Sequence, residues 1–146
     1  TVMQKNQKMT FQNQDDITHH VYSTSKNNRF DFKIKAGKEN SSIIFNNTGE
    51  VAMGCNMHDW MSGYLLVVDT PYYQKSDHEG LVSFIDVPPT QFQVTIWHPQ
   101  LNTANNVNNR TIDAYQREQW TIKLSKEVLA IPEQKSSDEF DFLEGY

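Results

Sequence analysis

The sequence predicts an all-β protein, a sandwich or barrel built from short strands. Several short segments alternate apolar and polar side chains, as a strand with one buried face does. Clusters that contain Asn, Gly or Pro separate these segments and mark turns, and helical patterns are poor. Short strands at this spacing are typical of antiparallel sandwiches and barrels.

Alternation is clearest in Phe30-Asp31-Phe32-Lys33-Ile34, where every second side chain is apolar. The Asn-rich stretch 102–109 is predicted to be a loop. Residues 126–146 are acidic with interleaved aromatic residues and are predicted to form a tail, or alternatively to dock on the body or on a partner. The predicted strands cover residues 9–13, 30–34, 42–45, 50–53, 64–68, 81–85, 92–97 and 119–124.

Composition excludes some classes of function. The formal net charge of -5 argues against nucleic acid as the main partner. The longest apolar run, residues 64–68, has the length of a buried strand, so the chain is not expected to span a membrane. No signal peptide is recognised, and the start in a strand-like segment predicts a processed or truncated form. The single cysteine rules out an internal disulfide.

That cysteine lies in the segment Cys55-Asn56-Met57-His58-Asp59-Trp60-Met61, which carries a thiol, an imidazole and a thioether at short spacing. With five histidines and five methionines in 146 residues, both offsets match by chance in about one chain in 900. One thiolate and two imidazoles with a long axial thioether suit both Cu(I) and Cu(II), so the segment predicts a type 1 copper site. The candidate for the second histidine lies upstream, in Thr18-His19-His20-Val21-Tyr22.

Other readings of the segment are weaker. Alone, Cys55 would be a buried small hydrophobe, His58 a loop histidine and Met61 a core residue. Zinc would require four firm ligands, and methionine is a poor one. A catalytic Cys-His pair lacks an evident orienting group or oxyanion donor at a fixed offset.

Two blocks of sequence resemble the cupredoxins, and most closely the cupredoxin-like proteins labelled methylamine utilization proteins. The first block has the pattern F-x-N-x-D-x-x-x-H-H-V-Y-S-x-S over residues 11–25. The second has G-C-N-x-H-D-W-M-x-G-Y-x-x-V-V-D-T-P-Y over residues 54–72, and its C-x2-H-x2-M loop has the short amicyanin form. Weaker similarity extends the resemblance to about residues 8–101.

The resemblance implies a Greek-key cupredoxin-like β-sandwich with a further β-rich C-terminal extension. It implies one type 1 copper ion in a bacterial periplasmic protein. Cupredoxins often have Asn after the first ligand histidine, whereas this chain has His20; the likeness to His-Asn-Val favours His19, with His20 as the alternative, since only one of the two can face the metal from a strand. The implied ligands are His19, Cys55, His58 and Met61.

These inferences lead to a predicted single-electron carrier that is not an enzyme. A redox partner protein is expected to dock on a patch near His58 and Trp60, with Met57 beside them. A copper-handling or resistance protein is an alternative, suggested by a surplus of soft and imidazole groups at Met53, Met57, His20 and His98. A further alternative is a β-sandwich interaction subunit that retains the site. The predicted division is a copper-binding region 1–70, an extension 71–125 packed on it, and the tail 126–146.

Overall fold

A computed structural model of the chain describes residues 1–37, 39–58, 61–101, 103–115, 121 and 123. These residues form strands and one 3-10 turn, Ala104–Asn106. The strand content confirms the all-β prediction, and no described residue belongs to a helix long and apolar enough to cross a bilayer. The strands are β1 (Val2–Gln4), β2 (Lys8–Gln12), β3 (His19–Ser23), β4 (Phe30–Ile34), β5 (Glu39–Ile44), β6 (Gly49–Cys55), β7 (Ser62–Val68), β8 (Gln91–Trp97) and β9 (Val107–Asp113).

The chain divides into two compact units between Leu81 and Val82. The first unit contains β1 to β7, and the second contains β8 and β9. The ranges 1–70, 71–125 and 126–146 stay a prediction, because the last of them lies outside the described residues.

Two sheets make up the first unit. Five strands pair in the order β1-β7-β6-β3-β4, with β1 and β7 parallel and the other pairs antiparallel. The second sheet is the antiparallel pair of β2 and β5. After β4 and β5, β6 returns to pair with β3, a connection of the Greek-key type.

The core of this unit lies between the two sheets. Its centre is formed by Phe45, Val51, Leu65 and Val67, each 2% exposed or less. Met9 of β2 and Ile43 of β5 are among the residues that pack against this centre from the second sheet. Burial of each large apolar side chain contributes about 1.5–3 kcal/mol relative to exposure.

Side chains of β6 alternate between the two faces of the sheet, and its last residue points to the inner face, toward the core. Val51, Met53 and Cys55 are two residues apart and therefore point to the same face of the sheet. Cys55, the last residue of β6, pairs with Val21 in β3, and His19 is the first residue of β3. The cysteine and this histidine thus meet at one edge of the sheet, on its inner face.

In the second unit, β8 and β9 pair antiparallel from Gln91 opposite Asp113 to Trp97 opposite Val107. The predicted loop 102–109 is therefore wrong for residues 107–109, which belong to β9. Because their side chains are mostly polar, the sequence pattern does not indicate a strand, yet their main chain pairs with β8. The predicted strand 92–97 agrees with β8, and the predicted strand 119–124 lies largely outside the described residues.

The predicted strand 81–85 is wrong. None of these residues belongs to a strand, and Ile85 is 83% exposed. The main-chain N–H of Leu81 donates to Asp77 Oδ1, and its carbonyl accepts the N–H of Asp77. The main-chain groups of Leu81 are therefore engaged in a turn and are not available to a strand ladder, so alternation alone does not produce a strand here.

Candidate metal centre

The two adjacent histidines of β3 lie on opposite faces of the five-stranded sheet. His19 is 5% exposed and faces inward with Cys55, as the period of two requires. His20 faces outward, where its Nε2 lies 2.5 Å from Asp31 Oδ1 and its Nδ1 accepts from Asn56 Nδ2 at 3.1 Å. Of the two candidate histidines, the fold brings His19 to the cysteine.

Three donor side chains converge at this edge. His19 Nδ1 lies 3.8 Å from Cys55 Sγ, and His58 Nδ1 lies 3.9 Å from the same sulfur. The two imidazole rings have centroids 5.2 Å apart and are tilted by 50°. The three donor atoms all lie within 4.8 Å of one another, a spacing at which one ion can bind to all three. Both histidines present Nδ1 to the cysteine.

Main-chain hydrogen bonds close the loop that carries His58 and Met61. The N–H of Cys55 donates to the carbonyl of Met61 at 3.2 Å, and the N–H of Met61 donates to the carbonyl of His58 at 3.1 Å. The N–H of Asn56 donates to the carbonyl of His20 at 3.0 Å. The loop therefore folds back on the end of β6 and is joined to β3. Met61 is half-buried in it, and its role as an axial ligand stays a prediction.

A carboxylate holds the far side of the His19 ring. Asp15 Oδ2 lies 2.6 Å from His19 Nε2, on the opposite side of the imidazole from the sulfur. When Nε2 carries the proton and donates to this carboxylate, Nδ1 presents its lone pair toward Cys55. Such outer carboxylates are a regular partner of metal-binding histidines.

The buried amide of Asn13 organises the loop that carries Asp15. Asn13 Nδ2 donates to the carbonyls of Ile17, at 2.7 Å, and Ile34, at 3.1 Å, while its Oδ1 accepts the N–H of Asp15 at 3.0 Å. Ile34 is the strand partner of His19. One side chain thus ties the Asp15 loop to the strand next to His19. Asn13 and Asp15 both lie in the first block that resembles the cupredoxins, but the sequence pattern predicts no role for either.

The surroundings of the sulfur favour the thiolate. Burial would raise the pKa of Cys55, but hydrogen bonds from His19, from the main-chain N–H groups of Met57 and His20, and from His58 lower it to about 6. Burial would likewise lower the pKa of His19, yet hydrogen bonds and charge interactions with Cys55 and Asp15 raise it. These shifts favour a thiolate at Cys55 beside a protonated His19 ring. A metal cation that binds these groups can displace the proton.

A row of thiol, imidazole and carboxylate also occurs in thiol hydrolases. Here Cys55 is only 7% exposed. The nearby main-chain N–H groups of Met57 and His20 donate to the sulfur itself rather than lining a space where a substrate oxygen could bind. The geometry suits metal ligation better than nucleophilic attack.

The remaining soft and imidazole groups predicted as possible copper donors lie in different surroundings. Met57, beside His58, is 61% exposed. Met53 packs against the core, and His20 is held by Asp31 and Asn56, so neither is a spare metal donor. In the second unit, His98 Nδ1 accepts the N–H of Gln100. Trp60 lies outside the described residues.

The structural neighbours of this chain include cupredoxins, as the resemblance in the sequence predicted. It is similar to a purple cupredoxin from Nitrosopumilus maritimus, with 21% identity over 46% of this chain and 75% of that chain, at a TM-score of 0.40. It is also similar to a reduced amicyanin variant, with 18% identity over 46% of this chain and 67% of that chain, at a TM-score of 0.41. No protein-family model and no curated protein matches the chain. Because both likenesses are distant, function is inferred from the geometry of the site.

Proposed function

We infer that this protein binds one copper ion in a type 1 site and acts as a single-electron carrier. The observation that carries the proposal is the convergence of Cys55 Sγ, His19 Nδ1 and His58 Nδ1 within 4.8 Å. A trigonal set of two imidazoles and one thiolate, with a weak axial thioether, is the ligand set of blue-copper electron-transfer sites. Met61 would supply the thioether from the same closed loop.

The residues around the donors support electron transfer rather than copper storage. Bound copper supplies a one-electron couple between Cu(I) and Cu(II). The ligand loop is closed by main-chain hydrogen bonds, and His19 is held by Asp15, so the protein restrains the donors in both oxidation states. Such restraint keeps rearrangement small during electron exchange. Copper handling is less well supported, because two of the four residues that suggest it, Met53 and His20, are engaged in structural contacts.

Partner docking near His58 is part of the proposal. His58 is half-buried, and the adjacent Met57 exposes 61% of its surface. An exposed apolar side chain beside a ligand histidine suits the small, transient contacts of redox partners. A bacterial periplasmic location also belongs to the proposal. It is supported by the sequence resemblance and by the burial of the lone thiol, since an exposed thiol would be oxidised there.

The test is the addition of Cu(II) to the purified metal-free chain, followed by visible absorption, EPR and metal analysis. We expect one copper per chain and an intense thiolate-to-copper absorption band. Cys55→Ser should abolish this band, because a hydroxyl replaces the thiolate donor. Met61→Leu should keep the band but raise the reduction potential, because Cu(II) loses a donor.

The matched control is His78→Ala, which removes a histidine whose side chain is 90% exposed. This variant should bind copper as the wild-type chain does. A wild-type protein without the thiolate-to-copper band, or a Cys55→Ser variant that retains it, would overturn the proposed function.

A further inference from the structure

Asp15 makes a close contact with the ring of His19 but is not itself one of the three donors. Asp15 lies four residues before His19 and bonds its Nε2 at 2.6 Å, while the side chain of Asp15 is 58% exposed. The carboxylate therefore reaches the buried ring from the solvent side. Asn13, itself 5% exposed, accepts the N–H of Asp15 and fixes the loop in this position.

Two physical effects follow from this contact. Acceptance of the Nε2 proton leaves Nδ1 as the lone-pair donor, and Nδ1 is the atom 3.8 Å from Cys55 Sγ. The negative charge of the carboxylate also strengthens the imidazole as a donor and favours the more highly charged state of an ion bound to it. The first effect concerns position, and the second concerns charge.

We propose that Asp15 is a positioning residue of the copper centre, which fixes His19 with Nδ1 toward Cys55 and lowers the reduction potential by favouring Cu(II). This inference rests on the proposed copper-binding function. The residue sets the donor strength of one equatorial ligand through a single hydrogen bond, and it does not contact the ion.

Two substitutions separate the effects of position and charge. Asp15→Asn removes the charge but keeps an oxygen that can accept the Nε2 proton. It should keep the absorption band, weaken Cu(II) binding about tenfold, change Cu(I) binding less, and raise the reduction potential. Asp15→Ala also removes the acceptor. It should weaken Cu(II) binding further, by about 10–100-fold overall, and shift the band.

The control is Asp16→Asn, which removes the same charge from the next residue, also exposed. It should leave both copper affinities and the potential unchanged. Equal behaviour of Asp15→Asn and Asp16→Asn would overturn the proposal, because bulk charge would then explain any change.

A second measurement does not depend on copper. Proton–nitrogen NMR of the metal-free protein, at a pH where the ring is neutral, identifies which nitrogen of His19 carries the proton. We expect Nε2–H in the wild-type chain, where Asp15 accepts this proton, and a shift toward Nδ1–H in Asp15→Ala, where Cys55 Sγ is the acceptor that remains. An unchanged tautomer would overturn the positioning role. Failure of the wild-type chain to bind copper would instead remove the proposed function, and the NMR result would still decide what Asp15 does to His19.

Discussion

His19 and His20 are neighbours on one strand, and each pairs through Nε2 with an aspartate at about the same distance, 2.6 and 2.5 Å. Their surroundings differ in every other respect. His19 is buried beside Cys55, and its aspartate lies on a loop; His20 is on the outer face, and its aspartate lies on β4. The comparison teaches that the period of two along a strand, rather than residue type, decides which imidazole can take part in metal chemistry.

Removal of each imidazole in turn gives the largest expected effect. His19→Ala should abolish the thiolate-to-copper band and weaken Cu(II) binding by more than about 100-fold, since loss of a ligand exceeds loss of a ligand's partner. His20→Ala should keep the band with a smaller loss of affinity, because it removes only outer-face contacts, those with Asn56 and Asp31. Copper titrations followed by visible absorption measure both. Greater damage from His20→Ala would mean that the assignment of the two faces is reversed.

The pH dependence of copper binding should reflect the inner face. Cu(II) competes with protons for Cys55, whose pKa is lowered to about 6, and for His19, whose pKa is raised. Affinity should therefore begin to fall above pH 6.5, where His19 takes up its proton, and fall more steeply below about 6, by about tenfold per pH unit for each competing proton. Competition titrations against a chelator of known pH dependence measure this fall. A pH-independent affinity between pH 7 and 5 would contradict the exchange of protons for copper.

Thermal stability of the metal-free chain is a poorer measure of the same groups, because they act with opposite sign. The lowered pKa of Cys55 stabilises the folded state above the ordinary thiol value of 9.0, and this contribution is lost as pH falls through about 6. The raised pKa of His19 stabilises the folded state below 6.5, and that contribution is lost as pH rises through the folded value.

Asn13→Ala should affect the pair of His19 and Asp15 but not the pair of His20 and Asp31. Its effect should be the smallest of those predicted. The substitution removes the amide that bonds the carbonyls of Ile17 and Ile34 and the N–H of Asp15. Buried groups left without partners cost about 1–3 kcal/mol in the free energy of unfolding. Denaturant unfolding of the metal-free chain measures this loss. NMR should also show greater mobility of the His19 ring and no change at the His20 ring. An equal change at both rings would contradict the separation of the two faces.

Much of the first unit follows from local pattern. Alternation in 30–34 predicts β4 because one face of that strand packs inward, and the spacing in Cys55-x-x-His58 predicts a loop that folds back on itself. The resemblance favours His19 over His20 as the ligand. The register, with Val21 opposite Cys55, places His19 rather than His20 beside the cysteine.

What the sequence does not predict depends on specific hydrogen bonds and strand pairings, one of them local and the others between separate segments of the chain. The apolar pattern of 81–85 predicts a strand, yet Asp77 binds the main chain of Leu81 in a turn. The polar residues of β9 predict a loop, yet β8 pairs with them. The amide of Asn13 reaches Ile34, which is 21 residues away, and a polar residue between a strand and a histidine carries no local sign of that role.

The hydrogen bonds described for the three donors join protein groups to one another, from Asp15 at His19 to Met61 at Cys55. Under the proposed function, copper would therefore bind to donors that protein hydrogen bonds already hold in place, rather than drive the folding of the chain. Mass action sets the consequence: once free copper exceeds the Kd, each tenfold rise adds about 1.4 kcal/mol to the free energy of unfolding. The melting temperature should therefore climb steadily with copper concentration, and the chain should remain folded when a chelator removes the ion.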